Sequence, residues 1–286
     1  MKIKFVKMQG CGNDYVYING AEYPDIKDKS ALARFVSDRH FGIGSDGLIF
    51  INPSPVPEAD FEMEMYNADG SQSQMCGNGV RCVAKFVCDE GLWDASKDFV
   101  KIYTKAGIKA ISLIRNKKGV VTDARVNMGN PILNPVDVPT KLEGTLMQDL
   151  TVDGIDYKVS CVSMGNPHCV TYIDDVKGFD LDRIGAMFES HEMFPERINA
   201  EFVKVIDRQN IEMRVYERGA AETWACGTGA CAVAVASILN GLCDNQVTIH
   251  LRGGDLFIDW SGKESDPVFM TGPATRVFKG SIKYKE

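Results

Sequence analysis

Two cysteines in this sequence share one short context. Cys76 opens "CGNGVRCVAKFV" and Cys226 opens "CGTGACAVAVAS". In each, glycines permit a tight turn and a helix-compatible run of residues follows. A thiol at a helix N-terminus lies at the positive end of the macrodipole, which favours its thiolate form. An ordinary thiol has a pKa of about 8.5, so modest tuning lets it act as base or acid near neutrality. Two such thiols facing opposite sides of one carbon could take a proton from one face and return one to the other. The result is inversion of a stereocentre. The backbone N–H groups of Gly77–Asn78 and Gly227–Thr228, at the helix starts, form two expected anion sites suited to a carboxylate. Charge driven into that carboxylate when an α-proton leaves is then stabilised in place. No lysine stands in a Schiff-base context, no C-x-x-C spacing occurs and there are only four histidines, so neither pyridoxal phosphate nor a metal is expected.

The shared context extends upstream without a gap. At an offset of 150 residues, "FEMEMYNADGSQSQMCGNG" (61–79) lies over "IEMRVYERGAAETWACGTG" (211–229), with six of nineteen positions identical. Each copy reads as an alternating strand, a polar loop and Cys-Gly-x-Gly opening an apolar helix. A weaker echo pairs "GCGNDYVYI" (10–18) with "SMGNPHCVTYI" (163–173), where a Gly-Asn turn begins a strand in each half. The repeat points to two similar lobes arising by internal duplication. A single cysteine at a helix start is usually structural; two at equivalent places point to one site built from both lobes.

The elements that must position these residues follow from periodicity. Strands are expected near 2–7, 14–18, 47–51, 61–66, 99–103, 108–114 and 120–127, with helices near 30–39 and 77–89. The second half repeats the theme, with strands near 158–164, 168–173, 201–206, 211–216, 246–251, 255–260 and 267–271, and helices near 180–189 and 228–240. "GNPILNPVDVP" (129–139) marks the crossover between lobes. Strand-rich halves with two helices each read as α+β rather than as alternating parallel units. The chain is 286 residues long, 44% apolar and 25% charged, with a net charge of −7 and scattered lysines, which argues against a nucleic-acid partner. No apolar stretch approaches the ~20 residues of a membrane span. The N-terminal stretch lacks the apolar region of a signal peptide, and nine cysteines, an odd number, point to reduced thiols in a cytoplasm.

Four motifs, "MQGCGNDYV", "YNADGSQSQMCGNGVRC", "MGNPH" and "ERGAAETWACGTGACA", closely resemble the cofactor-independent diaminopimelate epimerases, in the same order and over residues 5 to about 272. The resemblance implies interconversion of LL- and meso-2,6-diaminopimelate, on the route to lysine and the peptidoglycan cross-link. It implies two lobes, each a β-barrel-like sheet wrapped round a central helix, with the active site in the cleft between them. The lobes are then 1–127, rejoined by 273–286, and 128–272, and a homodimer is expected. Carried over by position, Cys76 and Cys226 are the acid/base thiols. Glu217, with Asn67 at the matching place in the first lobe, holds the ammonium at the reacting centre. Arg218 clamps the distal carboxylate, in the fork geometry that suits arginine. Asn13, Asn166 and Asn199 bind the distal amino-acid end, and His168 adjusts the protonation of the thiols. Cys82, Cys88, Cys161, Cys169, Cys231 and Cys243 read as packing residues. Four positions depart from the family pattern: Gln9, Cys11, Gly47 in place of a substrate-binding Gln, and Ala221 in place of Gly. The methyl of Ala221 matters only if its backbone needs a positive φ.

Other readings keep part of this pattern. Proline or hydroxyproline racemases share the paired cysteines but typically show His after the first Cys-Gly; Asn78 and Arg218 argue for the diaminopimelate substrate. Phenazine-type isomerases lack the cysteine pair. A thiol redox enzyme would use the same two cysteines for electron exchange. A non-catalytic module for an anionic amino acid explains the helix starts but not a thiol at both.

Overall fold

The computed structural model describes residues 1–94 and 96–285. Its chain divides into two units, Met1–Val126 with Gly272–Glu286, and Asn127–Thr271.

In the first unit, strands β1 (Lys2–Gly10) and β2 (Asn13–Asn19) are followed by helix α1 (Lys29–Ser37), β3 (Gly47–Pro53), β4 (Phe61–Asn67) and the short β5 (Gln72–Ser73). Helix α2 (Gly77–Asp89) and strands β6 (Phe99–Thr104), β7 (Gly107–Arg115) and β8 (Val121–Asn127) come next. The second unit runs β9 (Gln148–Val152), β10 (Ile155–Ser163), β11 (Pro167–Tyr172), α3 (Leu181–Glu189), β12 (Asn199–Asp207), β13 (Asn210–Glu217) and β14 (Ala221–Thr223). It ends with α4 (Gly227–Leu239), β15 (Gln246–Leu251), β16 (Gly254–Asp259) and β17 (Phe269–Pro273). The final strand, β18 (Thr275–Lys283), pairs with β1.

The two sheets follow one plan. In the first, β18–β1 and β1–β2 are antiparallel, β2–β3 parallel, β3–β4 antiparallel, β4–β6 parallel, and β6–β7 and β7–β8 antiparallel. In the second, β9–β10 and β10–β11 are antiparallel, β11–β12 parallel, β12–β13 antiparallel, β13–β15 parallel, and β15–β16 and β16–β17 antiparallel. β5 and β14 are hairpin returns on β4 and β13. The register carries the duplication to single residues. Leu48 faces Tyr66 in one sheet and Ala200 faces Tyr216 in the other, so Gly47 corresponds to Asn199 and Ile49 to Glu201. One strand over, Tyr15 beside Gly47 corresponds to His168 beside Asn199.

Each sheet encloses one helix. α2 packs against β1, β2, β6 and β7, and α4 against β10, β11, β12, β15 and β16. α4 is apolar all round because it is surrounded; a helix with one solvent face would alternate. α2 is equally enclosed yet carries Arg81 and Lys85. Lys85 reaches the Val121 carbonyl at 2.6 Å and Asp89, which satisfies its buried charge. α1 and α3 pack on the opposite faces of their sheets and anchor the Leu32–Val36 and Ile184–Phe188 cores.

The expected strand and helix positions match these elements to within a few residues. β9, β18 and the two hairpin returns are not among the expected strands. β5 and β14 are too short to show a period. β18 exposes most of its length, so it lacks the alternation that marks a half-buried strand.

Candidate active site

Both cysteines cap their helices in the same way. Cys76 (φ −132°, ψ 122°) and Cys226 (φ −117°, ψ 112°) are extended, and each Sγ accepts a hydrogen bond at 3.3 Å from the amide three residues on, Gly79 or Gly229. This is the geometry of a serine or aspartate N-cap with sulfur in place of oxygen. Glycine at the third helical residue lets a neighbouring side chain approach closely in both. A Cβ at Gly79 would lie 2.9 Å from Ile49 Cδ1, and one at Gly229 would lie 2.7 Å from Glu201 Oε1.

In the first unit the Cys76 thiol donates to Asn13 Oδ1 at 3.2 Å. Asn13 is held by Asp46, which accepts from its Nδ2 at 2.8 Å and from the Asp14 amide at 3.0 Å. Arg39 bridges Asp14 and Asp46, and Lys7 pairs with Asp14 from the buried side. The strand start that carries Asn13 is thus fixed by an ionic cluster. Behind the turn, Arg81 is fully buried and donates to Gly77 O, Asn78 Oδ1 and Pro273 O. The Asn78 side chain therefore supports the helix start from within. Asn67 ends β4, and its Nδ2 donates to Ser71 Oγ at 3.0 Å.

In the second unit the cap lies among acids. His168 and Glu201 are both completely buried, with Nδ1 and Oε1 2.6 Å apart. A ring nitrogen of His168, a Glu201 oxygen and Cys226 Sγ all lie within 4.8 Å of one another. His168 Nε2 meets Asn166 Oδ1 at 3.1 Å, and Thr228 Oγ1 is 3.5 Å from the Cys226 sulfur. Glu217 ends β13 as Asn67 ends β4, and Thr223 donates to its Oε1. Burial pushes the Glu217 carboxyl up, against the Thr223 hydroxyl, His168 and the Cys226 thiol, which draw it down. Asn199 is spent on the backbone: it donates to Pro167 O at 2.8 Å and accepts from the Arg218 amide at 3.0 Å. Arg218 sits in the turn between β13 and β14, its guanidinium on the Glu196 carbonyl.

One sequence expectation changes here, and one condition left open by the sequence is met. The helix dipole alone predicts an easily ionised Cys226. Instead burial, with Glu217 adding to it, holds this thiol well above its ordinary value, and the Thr228 and Gly229 hydrogen bonds only partly oppose that. The Ala221 backbone does adopt a positive φ, 58°, so its methyl sits where glycine is favoured. Gly47 also has a steric reason: a Cβ there would lie 2.1 Å from Tyr66 O, which excludes a longer side chain. Sequence reasoning missed Glu201. The available signal was an acid inside the apolar strand pattern "NAEFVKV". Among the described residues no helix is long and apolar enough to cross a membrane.

Comparison with known proteins gives first the fold and then the family. A phenazine biosynthesis protein of the PhzF family from Bacillus anthracis superposes with a TM-score of 0.72, covering 99% of this chain and 100% of that one at 15% identity. The chain therefore shares that protein's fold, which here is mixed α+β and sheet-dominated. The sequence pattern of the family described as diaminopimelate epimerase matches residues 5–133 and 160–277. A diaminopimelate epimerase of Agathobacter rectalis is 52% identical, covering 98% of this chain and 99% of its own length, and one of Acetivibrio thermocellus is 49% identical, covering 99% and 100%. The chain belongs to the diaminopimelate epimerase family, and by that membership it is an isomerase.

Proposed function

We propose that this chain interconverts LL- and meso-2,6-diaminopimelate, with Cys76 and Cys226 acting on opposite faces of one α-carbon. One thiolate removes the proton as the other thiol supplies one, so the carbon inverts and the two cysteines exchange protonation states. The observation that carries the reading is the pair of cysteine N-caps at equivalent places in two sheets of one plan. The reaction needs two groups that can be either acid or base, and a thiol is suited to both.

The remaining residues take parts that the chemistry requires. The amides of Gly77–Asn78 and Gly227–Thr228 stabilise the carboxylate as charge develops on it. Glu217 and Asn67 receive the ammonium at the reacting centre. Arg218 holds the distal carboxylate, with Asn13, Asn166 and Asn199 at the distal amino-acid end and His168 tuning the thiols. Acid, base and charge stabilisation all come from the chain, so the proposed route uses no pyridoxal phosphate and no metal. A cytoplasmic homodimer serving lysine and peptidoglycan precursor synthesis is the setting we propose.

The test is proton exchange. Reduced protein with LL-diaminopimelate in D₂O should incorporate deuterium at one α-carbon while the optical rotation changes towards the meso mixture. Absence of both would remove the assignment.

A further inference from the structure

The duplication that makes the two helix caps alike also exposes where they differ. Gly79, the third residue of α2, faces Ile49 and Met63; Gly229, the third residue of α4, faces Glu201 and Met213. Met63 and Met213 are equivalent, and so are Ile49 and Glu201 by register. An isoleucine in one unit is therefore replaced by a fully buried glutamate in the other. The change is matched one strand away, where Tyr15 of the first unit corresponds to His168. The two replacements form a pair, since Glu201 Oε1 lies 2.6 Å from His168 Nδ1.

We propose that Glu201 is a positioning residue of the Cys226 half-site: as a carboxylic acid it donates to His168 Nδ1 and so holds the imidazole neutral, with its proton on Nε2. The role rests on the reading of Cys226 as an acid/base thiol. Three observations support it. His168 Nε2 faces Asn166 Oδ1 at 3.1 Å, an acceptor, which asks for an N–H there. The second oxygen, Glu201 Oε2, is buried without a hydrogen-bond partner among the described residues. An unpaired oxygen costs far less on a neutral carboxyl than on a buried carboxylate. The surroundings oppose ionisation as well. Glu217 on β13 and Cys226 at the head of α4 lie close to the pair, and each becomes negative if it ionises. Burial pushes the Glu201 carboxyl up; His168 pulls against it and Glu217 adds to the rise.

The arrangement keeps the pair uncharged beside the sulfur. A buried carboxylate at this distance would oppose formation of the Cys226 thiolate, whereas a neutral acid leaves that to the substrate and the helix start. The first unit needs no such device, because Ile49 has no charge to suppress.

Two substitutions and one measurement on the unaltered protein test this. Glu201→Gln keeps a donor towards Nδ1 and should retain turnover within about threefold. Glu201→Ile, which imports the residue of the other unit, should lower kcat at least about tenfold, the scale for an outer residue that orients a reacting one. ¹⁵N-histidine NMR should show His168 carrying its proton on Nε2 in the parent and in Glu201→Gln, and losing that single tautomer in Glu201→Ile. A Gln variant as impaired as the Ile variant would overturn the neutral-acid role. So would an Ile variant with parental kcat and tautomer. If Glu201→Ile does not fold, the parent spectrum still decides: an unprotonated Nε2, or both ring nitrogens protonated, defeats the proposal. The NMR readout needs no turnover, so failure of the diaminopimelate assignment would be seen separately, in the deuterium experiment.

Discussion

Cys76 and Cys226 cap their helices with the same bond, each sulfur accepting at 3.3 Å from the backbone amide three residues further on. Each thiol is thus placed first by local backbone geometry, to which the first unit adds the Cys76 bond to Asn13. Serine is itself a favoured N-cap, with an oxygen that can accept the same bond. Cys76→Ser and Cys226→Ser should each keep the melting temperature within a few degrees. Each should lower epimerisation at least about 100-fold, since a hydroxyl is a poor proton carrier near neutrality. Optical assay of diaminopimelate with each variant decides this. Near-parental turnover in either would end the two-base assignment.

Arg218 stands apart from the thiols in role. Its backbone amide is held by Asn199 and its guanidinium rests on the Glu196 carbonyl. Arg218→Met should raise KM at least about tenfold, the cost of a charge-assisted pair of about 1.5 kcal/mol or more, and change kcat less. An unchanged KM would remove Arg218 from the distal carboxylate.

Glu217 sets a pH dependence whose sign can be worked out. Its folded-state pKa lies above the ordinary 4.5, with burial the largest cause. The stability that goes with its protonated form is fully present below that ordinary value and is lost as pH rises through the raised folded value. Glu217→Gln cannot ionise. Urea melts should show the variant gaining stability relative to the parent as pH rises above the ordinary carboxylate value, while its epimerase activity falls. A stability difference that does not change with pH would contradict the shift.

Ala221 is strained at φ 58°, opposite Glu217 at the end of the β13–β14 hairpin. A non-glycine residue in this region costs about 1–2 kcal/mol, part of which glycine returns through its freer unfolded chain. Ala221→Gly should therefore stabilise the protein by about 0.5–1 kcal/mol in urea denaturation.

Gly47 presents the opposite case. Any Cβ there meets the Tyr66 carbonyl at 2.1 Å and the Tyr15 ring at 2.7 Å. Gly47→Ala should destabilise by about 2 kcal/mol or more, because backbone must move to admit it. Thermal unfolding with an unchanged midpoint would show that β3 relaxes freely.

Residues that act through their own neighbours in the chain were legible in the sequence. The Cys-Gly-x-Gly turns, the apolar α4 and the echo between Asn13 and Asn166 all appear as local pattern or repeat. Asn199 was legible only by resemblance, and the structure gives it a backbone task beside Arg218 that no spacing announces. Arg81 and Asp46 were not legible. One is a buried cation inside a helix that reads as apolar, and the other is an acid in a polar loop. Their parts depend on Pro273, 192 residues from Arg81, and on Asn13, 33 residues from Asp46.

By itself the sequence determined that two lobes repeat one plan, that a cysteine heads the same helix in each, and which family the chain joins. Those features are written in short-range periodicity and in glycine spacing, which hold wherever the segment is placed. The tertiary structure alone decided that the two thiols are unlike. His168 and Glu201 are 33 residues apart on neighbouring strands, and only the parallel pairing of β11 with β12 brings them together beneath Cys226. Burial there strips water from the pair, so the electrostatic setting of that sulfur depends on the folded surroundings, whereas the helix that bears it is a property of the local chain.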